Sequence, residues 1–454
     1  MNDFAAPPAL IDVSPAAQRV INACRDAGGR PLVVGGAVRD ALLGLGGRPK
    51  DVDLEVHDVD DTRVLVESLS RVAAVSLQGA AFEVIAVRLD GQDFDISLPP
   101  PGAHDERDSF ARRDFTVNAM GWDPVSRRLI DPFGGREDLD RGVLRHTSDA
   151  FSDDPLRVMR GVQFAGRFGF SFAAETAELC ATLAPRFTEL AGERVWGEWR
   201  KLARRAVYWP EALAALAQSG WGEHFPQLDG TRGVPQDPVW HAEGDVWTHL
   251  GLAARSAAES SERDGLAPEV REVVVLATLL HDVGKVTHTR ITEGRITSSG
   301  HAEAGVAPAR RFLERIGAPR HVVESVLPLV REHMAHVSVV GVPSRQAVRR
   351  LMRRLGGAER GASIYEWARV VDADCAGRAA SAKPSPARDW LEIADTIGVS
   401  AQRPILTGAH LVARGLTPGP GFGPVLRRAL AAQDDEEFTD ETGALAWLAR
   451  QHEL

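Results

Sequence analysis

The stretch that most constrains the fold is Val33–Glu55, which reads VVGGAVRDALLGLGGRPKDVDLE. It joins a short apolar strand, a glycine pair, an arginine-bearing helix and two aspartates one residue apart. Glycines after a strand let the backbone approach a ligand closely, and the free N–H groups of the following helix suit phosphate. Asp51 and Asp53 face the same way if they lie on a strand. Two carboxylates beside a phosphate cradle are what Mg²⁺ needs to hold a nucleoside triphosphate.

The elements around this stretch predict a small α/β domain. Ser14 is expected to cap a helix that runs to Ala27, and PLVVGG is expected to form a buried strand. Phe82–Arg88 and Asp93–Leu98 alternate in a way that predicts antiparallel strands. Asp95, the odd residue in the apolar run FDISL, has two interpretations. It is either an edge-strand surface carboxylate or a third acid that deprotonates an attacking hydroxyl or completes a metal cage.

A dense polar run, ARRDFTVNAM, follows this domain's strands. Arginine forks match phosphate oxygens with paired hydrogen bonds, so Arg112 and Arg113 are candidate phosphate ligands. Asn118 either contacts a sugar hydroxyl or caps the local turn. The run therefore adds nucleotide-binding candidates to the two aspartates.

Five segments occur in a fixed order: GGAVRD, DVDLE, RRDFTVNAM, DPFGGREDL and FSDDPLRVMRGVQFAGRFGF. Together they resemble the class II tRNA nucleotidyltransferase and bacterial poly(A) polymerase family, within the polymerase-β-like nucleotidyltransferases. The resemblance implies that Asp51 and Asp53 bind Mg²⁺. It implies that the glycine–arginine helix cradles the triphosphate, here with Gly35, Gly36, Arg39 and Asp40, and that the Arg-Arg-Asp segment contacts the nucleotide, here with Arg112, Arg113 and Asp114. Asn118 is kept as a nucleotide-binding candidate from its place in the polar run.

The last of these segments is predicted to open a helix capped by Ser152. Asp154 and Arg157 are three residues apart, so they share a helix face. An acceptor and a donor fork held together can match the edges of cytosine and adenine. The resembled family uses Glu-Asp-x-x-Arg as such a protein template; here Asp153 replaces the glutamate, and Asp154 and Arg157 carry the role. Arg160, one turn on, is expected to reach the triphosphate or substrate.

The second half carries histidines and aspartates within HAEGDVWTH, LLHDVGK, SSGHAEAG, REHMAH and VVDADCAGR. Imidazoles and carboxylates that helices bring together suit a transition-metal or Mg²⁺ site with hydrolytic chemistry. The pattern resembles the HD phosphohydrolase superfamily. Asp374 is preferred to Asp372 because ADCAGR resembles that family's Ala-Asp-x-x-Gly-Arg ending. The implied ligands are His249, His281, Asp282 and Asp374, with Lys285, His301 and His333 as accessory groups; the metal (Ni, Mn or Mg) is left open.

The predicted fold class is α+β: a polymerase-β-like nucleotidyltransferase α/β domain followed by helical regions. We place the catalytic domain at 1–150, a nucleotide-selecting neck at 151–230, an HD domain at 235–380 and a C-terminal helical region at 381–454. No apolar run is long enough to span a bilayer, so a cytoplasmic protein without a membrane partner is expected. The net charge of −10 argues against a nucleic-acid partner by itself. Arg345, Arg349 and Arg353 nevertheless share one helix face that could contact tRNA backbone.

Together the two resemblances imply a CTP/ATP:tRNA nucleotidyltransferase that builds or repairs the 3′-terminal CCA. The HD half is expected to hydrolyse phosphomonoesters or 2′,3′-cyclic phosphates. A poly(A) polymerase, or an enzyme adding only CC or only A, is the alternative within the same chemistry. A phosphohydrolase whose other half only binds tRNA is the alternative from another class. The expected partners are tRNA, ATP and CTP, and a homo-oligomer is left open.

Overall fold

The computed structural model describes residue 11 and residues 13–45, 51–78, 84–357, 361–378, 385–398 and 404–451. The chain divides into two compact units. The first comprises the residues up to Leu190 together with Glu211–Trp221, and the second comprises Ala191–Pro210 and the residues from Gly222 onward. These units are coarser than the four predicted regions, whose boundaries stay a prediction. Among the described residues, no helix is both long enough and apolar enough to cross a membrane.

A mixed sheet forms the centre of the first unit. Its strands are β1 (Arg30–Val34), β2 (Asp51–His57), β3 (Ala74–Gln78), β4 (Val84–Leu89), β5 (Gln92–Ser97), β6 (Gly121–Asp123) and β7 (Arg128–Ile130). Their spatial order is β3-β4-β5-β2-β1-β6-β7. In this sheet β2 and β5 run parallel, and the other neighbouring pairs are antiparallel. The predicted antiparallel pair is therefore confirmed as β4 and β5, although Phe82 lies outside the described residues.

Helices of the first unit come before, between and after these strands in the chain. They are α1 (Pro15–Asp26), α2 (Gly36–Leu42), α3 (Thr62–Ser70), α4 (Glu106–Phe110), α5 (Gly135–Arg141), α6 (Leu156–Phe168) and α7 (Ala174–Thr182). The predicted cap of α1 is confirmed, because Ser14 Oγ accepts a hydrogen bond from the Ala17 N–H at 3.0 Å. A short parallel pair, β8 (Val143–Leu144) and β9 (Ser171–Phe172), completes the unit.

The start of α6 differs from the prediction. Ser152 is not its cap: residues Asp149–Asp153 form a separate turn of 3₁₀ helix, and α6 begins at Leu156. Pro155 explains the break, because a proline disfavours helical geometry in the residue before it, and Asp154 is extended with φ −128° and ψ 101°. The Phe115 ring packs against Phe164 of α6 at 5.9 Å between centroids. This contact fixes α6 beside the ARRDFTVNAM segment.

The remaining helices are α8 (Gly192–Arg205), α9 (Trp209–Gln218), α10 (Pro226–Asp229), α11 (Val246–Arg263), α12 (Pro268–Leu280), α13 (Lys285–His288), α14 (His301–Arg315), α15 (Arg320–Glu332), α16 (Arg345–Leu355), α17 (Ile364–Gly377), α18 (Ala387–Ile397), α19 (Gly408–Ala413), α20 (Phe422–Asp434) and α21 (Glu441–Ala449). Between α13 and α14 stands a hairpin of β10 (Arg290–Thr292) and β11 (Arg295–Thr297). Trp199 of α8 is fully buried in the second unit and packs edge-on against Phe225 and Phe312. The predicted α+β class is confirmed.

The basic face predicted on α16 is largely used inside the protein. Arg353 makes two hydrogen bonds of 2.5 Å to the buried carboxylate of Asp434. Arg349 donates to the Asp434 carbonyl at 3.0 Å and to Glu436 at 2.6 Å. These contacts neutralise Arg349 and Arg353 within the protein and disfavour their use on tRNA, so a tRNA contact of this face stays a prediction.

Candidate active site and metal centre

Three aspartates lie together on one face of the sheet of the first unit. Asp51 and Asp53 of β2 are exposed, whereas Val52 and Leu54 between and after them are buried on the opposite face. The parallel register places Asp53 directly beside Asp95 of β5, which is also exposed. It also places Asp51 beside Asp93, whose carboxylate pairs with Arg88. We call Asp51, Asp53 and Asp95 the carboxylate face. Its geometry favours the third-acid interpretation of Asp95 over that of an isolated surface carboxylate.

The negative charges of the carboxylate face repel one another. Partial desolvation raises the pKa of Asp53, Arg113 opposes this shift, and the nearby charges of Asp95 and Asp51 add to it. Carboxylates crowded in this way gain from a divalent cation, since the cation relieves their mutual repulsion. The donor set consists of oxygens alone, which is the set that Mg²⁺ prefers.

Gly35 shows why the glycine pair is needed here. Its φ of 70° is in the left-handed region, and an added Cβ would lie 3.0 Å from Arg113 Nη1 and 3.8 Å from Asp53 Oδ2. Arg113 also donates to Glu55 at 3.2 Å. The start of α2, where Gly36 is the first residue, is thus held directly against Arg113 and the carboxylate face.

Arg39 lies deeper than the sequence indicated. Its side chain is buried between the Phe164 and Phe168 rings, with Cζ 5.1 Å and 4.7 Å from their centroids. Its guanidinium donates to Asn118 Oδ1 at 2.5 Å and to Asp40 at 2.7 Å. A direct contact of Arg39 with the triphosphate stays a prediction, and its position favours an indirect role in fixing Asn118.

Asn118 continues this network to α6. Its Nδ2 donates to Asp114 Oδ1 at 2.8 Å, and Asp114 Oδ2 pairs with Arg160 Nη2 at 2.6 Å. Although burial alone would raise it, Arg160 and the Asn118 hydrogen bond lower the pKa of Asp114. Asp114 is therefore an internal anion that ties Asn118 to Arg160, and the predicted contacts of these three residues with the nucleotide stay predictions.

The proposed base-selecting pair lies at the start of α6. Arg157 donates from Nη1 to the Ala150 carbonyl and from Nη2 to the Arg112 carbonyl, both at 2.6 Å. Asp154 Oδ1 accepts from the Leu156 N–H at 3.1 Å. Both side chains are half-buried, whereas the Arg112 side chain is exposed. The plane of the Arg157 fork is therefore fixed by backbone carbonyls, as a template for a base edge requires.

In the second unit, the predicted histidines and aspartates converge from five helices. We call them the histidine–aspartate cluster, and all of its members are buried: His249, His281, Asp282, His301, His333 and Asp374. A first donor group is formed around His249 Nε2, which lies 3.1 Å from Asp374 Oδ1 and 3.3 Å from His281 Nε2. Asp282 Oδ2 lies 3.3 Å from His281 Nε2 and completes this group. All four predicted ligands are therefore brought together, and Asp374, not the exposed Asp372, is the inward-facing acid.

The other oxygen of Asp282 faces a second donor group. Asp282 Oδ1 lies 3.0 Å from His301 Nε2 and 3.7 Å from His333 Nε2, and the two ring nitrogens are 3.1 Å apart. Burial and the neighbouring His281 lower the pKa of His333 to about 3, which keeps its ring neutral as a metal ligand must be. The accessory histidines of the sequence thus lie at ligand distance from the same aspartate.

The outward hydrogen bonds of the rings decide whether a cation fits. Nδ1 of His281, His301 and His333 each contacts a backbone carbonyl oxygen at 2.6–2.7 Å. A carbonyl only accepts, so each Nδ1 carries a proton, and each neutral ring presents the lone pair of Nε2 to the cluster. The facing lone pairs and the buried Asp282 Oδ1 repel one another unless a proton or a metal cation lies between them. The residues therefore fit divalent metal ions, with imidazole donors that suit a transition metal such as Ni²⁺ better than Mg²⁺.

Known proteins match both sites. Residues 32–145 match the poly A polymerase head domain, and residues 246–369 match the HD domain. A multifunctional CCA protein from Halorhodospira halophila is 35% identical over 436 residues, covering 87% of this chain and 94% of that relative. The chain belongs to the multifunctional CCA protein family. A member from Hahella chejuensis is 32% identical and covers 90% of this chain and 97% of its own length.

Solved CCA-adding enzymes share the fold. The Bacillus stearothermophilus CCA-adding enzyme in complex with CTP superposes with a TM-score of 0.62 at 22% identity, over 96% of this chain and 98% of that one. The Thermotoga maritima CCA-adding enzyme complexed with tRNA gives a TM-score of 0.53 at 19% identity, over 97% of each chain. Membership of the CCA family confirms the predicted nucleotidyltransferase resemblance and the HD resemblance. Both domain types depend on metal ions.

Sequence reasoning missed three residues that make hydrogen bonds to the histidine–aspartate cluster or to Lys285 and Glu243 beside it. Glu243 Oε1 accepts hydrogen bonds from His249 Nδ1 and His241 Nδ1, both at 2.8 Å. Gln236 Oε1 accepts from Lys285 Nζ at 2.7 Å, and Lys285 also pairs with Asp282 at 2.6 Å. Gln236 lies in a stretch rich in turn residues, and His241 and Glu243 lie in HAEGDVWTH, of which only His249 is a predicted ligand. The spacing of His241, Glu243 and His249 was the signal that could have found them.

Glu243 is expected to set the metal affinity of the cluster. A carboxylate that accepts the outer N–H of a ligating histidine orients the ring and raises its basicity. Glu243→Gln is expected to weaken metal binding about 10- to 100-fold. We would measure this by calorimetric titration with Mn²⁺, using a chain in which Asp53→Asn disables the first site. Glu259→Gln, an exposed position on the same helix as His249, is the matched control, and equal affinities in the two variants would contradict the role.

Proposed function

We propose that this chain completes and repairs the 3′-terminal CCA of tRNA from CTP and ATP, with the carboxylate face as the reacting centre. The observation that carries this assignment is the parallel register of β2 and β5, which sets Asp95 beside Asp53. The family and its solved neighbours support the substrates, since relatives of this chain are named for CCA and structures of similar fold hold CTP or tRNA.

In this proposal the 3′-hydroxyl of the tRNA attacks the α-phosphorus, and the bond from that phosphorus to the pyrophosphate oxygen breaks. Mg²⁺ held by Asp51 and Asp53 supplies charge neutralisation to the phosphates. Asp95 takes the hydroxyl proton, because its place beside Asp53 puts it within the reacting centre. Arg113, held against Gly35 and Glu55, provides a fixed positive charge next to the triphosphate. Pyrophosphate leaves with the bonding electrons.

Arg157 is expected to govern the choice of base. Arg157→Ala is expected to lower the kcat/KM ratio of CTP to UTP by about tenfold or more, because it removes the donor fork. Arg157→Lys is expected to lose nearly as much, since lysine keeps the charge but not the fork. Using the ratio cancels any general loss from releasing the Arg112 carbonyl. Unchanged ratios in both variants would place the template elsewhere.

We also propose that the histidine–aspartate cluster hydrolyses phosphomonoesters or 2′,3′-cyclic phosphates at tRNA ends. The observation that favours this second activity is the convergence of Nε2 lone pairs on the two oxygens of Asp282. A bound divalent metal supplies an activated water and polarises the phosphate. Lys285, fixed by Gln236 and Asp282, is positioned to bind a phosphate oxygen. Hydrolysis assays with Ni²⁺, Mn²⁺ and Mg²⁺ in turn identify the metal.

An incorporation assay on truncated tRNAs tests the first proposal. Transfer RNA lacking CCA is incubated with labelled CTP alone, with ATP alone and with both. We expect two cytidines from CTP alone and one further adenosine when both are present. Unlimited extension by ATP without cytidine incorporation would identify a poly(A) polymerase instead, and addition of only CC or only A would identify a partial enzyme.

A further inference from the structure

The β10–β11 hairpin presents a polar, basic face whose role in the proposed reactions is unassigned. Its register pairs Arg290 with Thr297 and Thr292 with Arg295. Paired residues and residues two apart lie on the same face of a hairpin, so both arginines and both threonines face one side. All four of these residues are exposed, and so is Ile291 on the opposite face, at 65%. The hairpin thus offers two guanidinium groups to solvent on one surface.

Hydrogen bonds connect the base of this hairpin to the histidine–aspartate cluster. Arg290 Nη1 donates to the carbonyls of Thr287 and Thr289 at 2.8 and 2.9 Å, which fixes its side chain at the hairpin base. Thr289 Oγ1 and Ser298 Oγ are 2.9 Å apart across the base, and the Ser298 carbonyl contacts His301 Nδ1 at 2.7 Å. Arg290 is therefore connected to His301 of the cluster through hydrogen bonds that involve Thr289 and Ser298.

The other side of the hairpin base is also tied to the cluster. The short helix α13 leads into β10 and begins at Lys285, which pairs with Asp282. A Cβ on Gly284 would lie 2.0 Å from the His301 carbonyl oxygen, so the two chain segments that carry the hairpin touch at their roots. The base of the hairpin is consequently held by the two segments that carry Asp282 and His301.

We propose that this face binds backbone phosphates of the RNA strand whose 3′ end occupies the histidine–aspartate cluster. Two arginines and two hydroxyl groups on one side match phosphate oxygens by charge and by hydrogen bonding. The only acid between the strands, Glu293, lies at the turn and not on either strand. The proposal rests on the proposed hydrolase function, and it adds a reason for this site to prefer a polynucleotide end to a free nucleotide.

Arg290→Ala combined with Arg295→Ala tests the proposal. Hydrolysis is compared on a tRNA acceptor-stem RNA ending in a 2′,3′-cyclic phosphate and on a mononucleoside 2′,3′-cyclic phosphate. We expect kcat/KM on the RNA to fall and kcat/KM on the mononucleotide to stay within about twofold of wild type. Raising KCl from 50 to 200 mM weakens RNA binding, and the loss of two phosphate contacts should make this weakening about tenfold smaller. Equal losses on both substrates, or no loss on either, would overturn the proposal.

Arg320→Ala is the matched control, because Arg320 is an exposed arginine at the start of α15. At 1.5 Å per residue it lies about 20 Å along the helix from His333, the cluster histidine that follows α15. Arg320→Ala should change neither kcat/KM on the two substrates nor the salt dependence of RNA binding. The salt titration also separates the two proposals. If wild-type protein binds the RNA but hydrolyses neither substrate, the hydrolase function fails. The difference in salt slope between wild type and the double variant then still decides whether the hairpin contacts phosphate.

Discussion

Asp53→Asn is expected to lower CCA addition by about 10³-fold, which corresponds to ~4 kcal/mol of transition-state stabilisation. Asparagine keeps the size of the side chain but removes the charge that holds a metal against the triphosphate. Asp53 lies at the centre of the carboxylate face, between Asp51 on its own strand and Asp95 on β5. The loss should appear in kcat more than in the KM for tRNA, because the carboxylate acts on the reacting phosphate. Single-turnover incorporation of labelled CTP measures it.

Asp95→Asn separates the two interpretations of the third acid. If Asp95 takes the hydroxyl proton, its loss should be comparable to that of Asp53→Asn. Asp93→Asn is the matched comparison, because Asp93 lies on the same face of the same strand, beside Asp51, but its carboxylate pairs with Arg88 at 3.5 Å. We expect less than about a threefold effect there, since exposed ion pairs contribute little. If Asp93→Asn loses activity and Asp95→Asn keeps it, the reacting centre lies beside Asp93 and Asp51 and not beside Asp95.

Much of the first site followed from local patterns in the sequence. Alternation along DVDLE predicted that Asp51 and Asp53 face the same way, and the structure confirms it. The sequence did not show that Asp95 is a neighbour of Asp53, because that contact comes from a parallel pairing between strands about 40 residues apart, and register across such a gap is set by the whole sheet. The deep burial of Arg39 was likewise hidden, since it depends on two phenylalanines of α6.

In the second site the sequence identified most of the residues but not how they come together. Separate short motifs identified its histidines and acids, although no local pattern joins helices that lie far apart in the chain. The segment with Gln236, His241 and Glu243 was only partly recognised, because its glycines and prolines indicate turns but do not show whether a loop is ordered. Burial of Thr231 and the Lys285 contact of Gln236 show that it is ordered. Similarly, the arginine spacing on α16 indicated one basic face but could not reveal the acids that neutralise it.

Asp374→Asn and Asp372→Asn form the sharpest test of the second site. The two aspartates are two residues apart on α17, yet Asp374 is buried at 3.1 Å from His249 Nε2 and Asp372 is exposed. Although burial would raise it, the His249 hydrogen bond and the charge of His281 hold the pKa of Asp374 well below its ordinary value. The carboxylate therefore stays ionised and available to a metal throughout the physiological pH range. Asp374→Asn is expected to reduce metal-stimulated hydrolysis by about 10³-fold, and Asp372→Asn by less than about twofold.

CCA addition by the same two variants provides the internal control, because the carboxylate face belongs to the other unit. Both variants should add CCA at the wild-type rate, which shows that a loss of hydrolysis is not a loss of folding. Asp374→Asn also leaves Arg378 facing a neutral amide where it now makes hydrogen bonds of 3.2 and 2.7 Å to the carboxylate. Removing one partner of a buried ion pair costs about 3–5 kcal/mol, so thermal unfolding is monitored in parallel. Hydrolysis that survives in a folded Asp374→Asn variant but disappears in Asp372→Asn would reverse the ligand assignment, and with it the geometry on which the second activity is proposed.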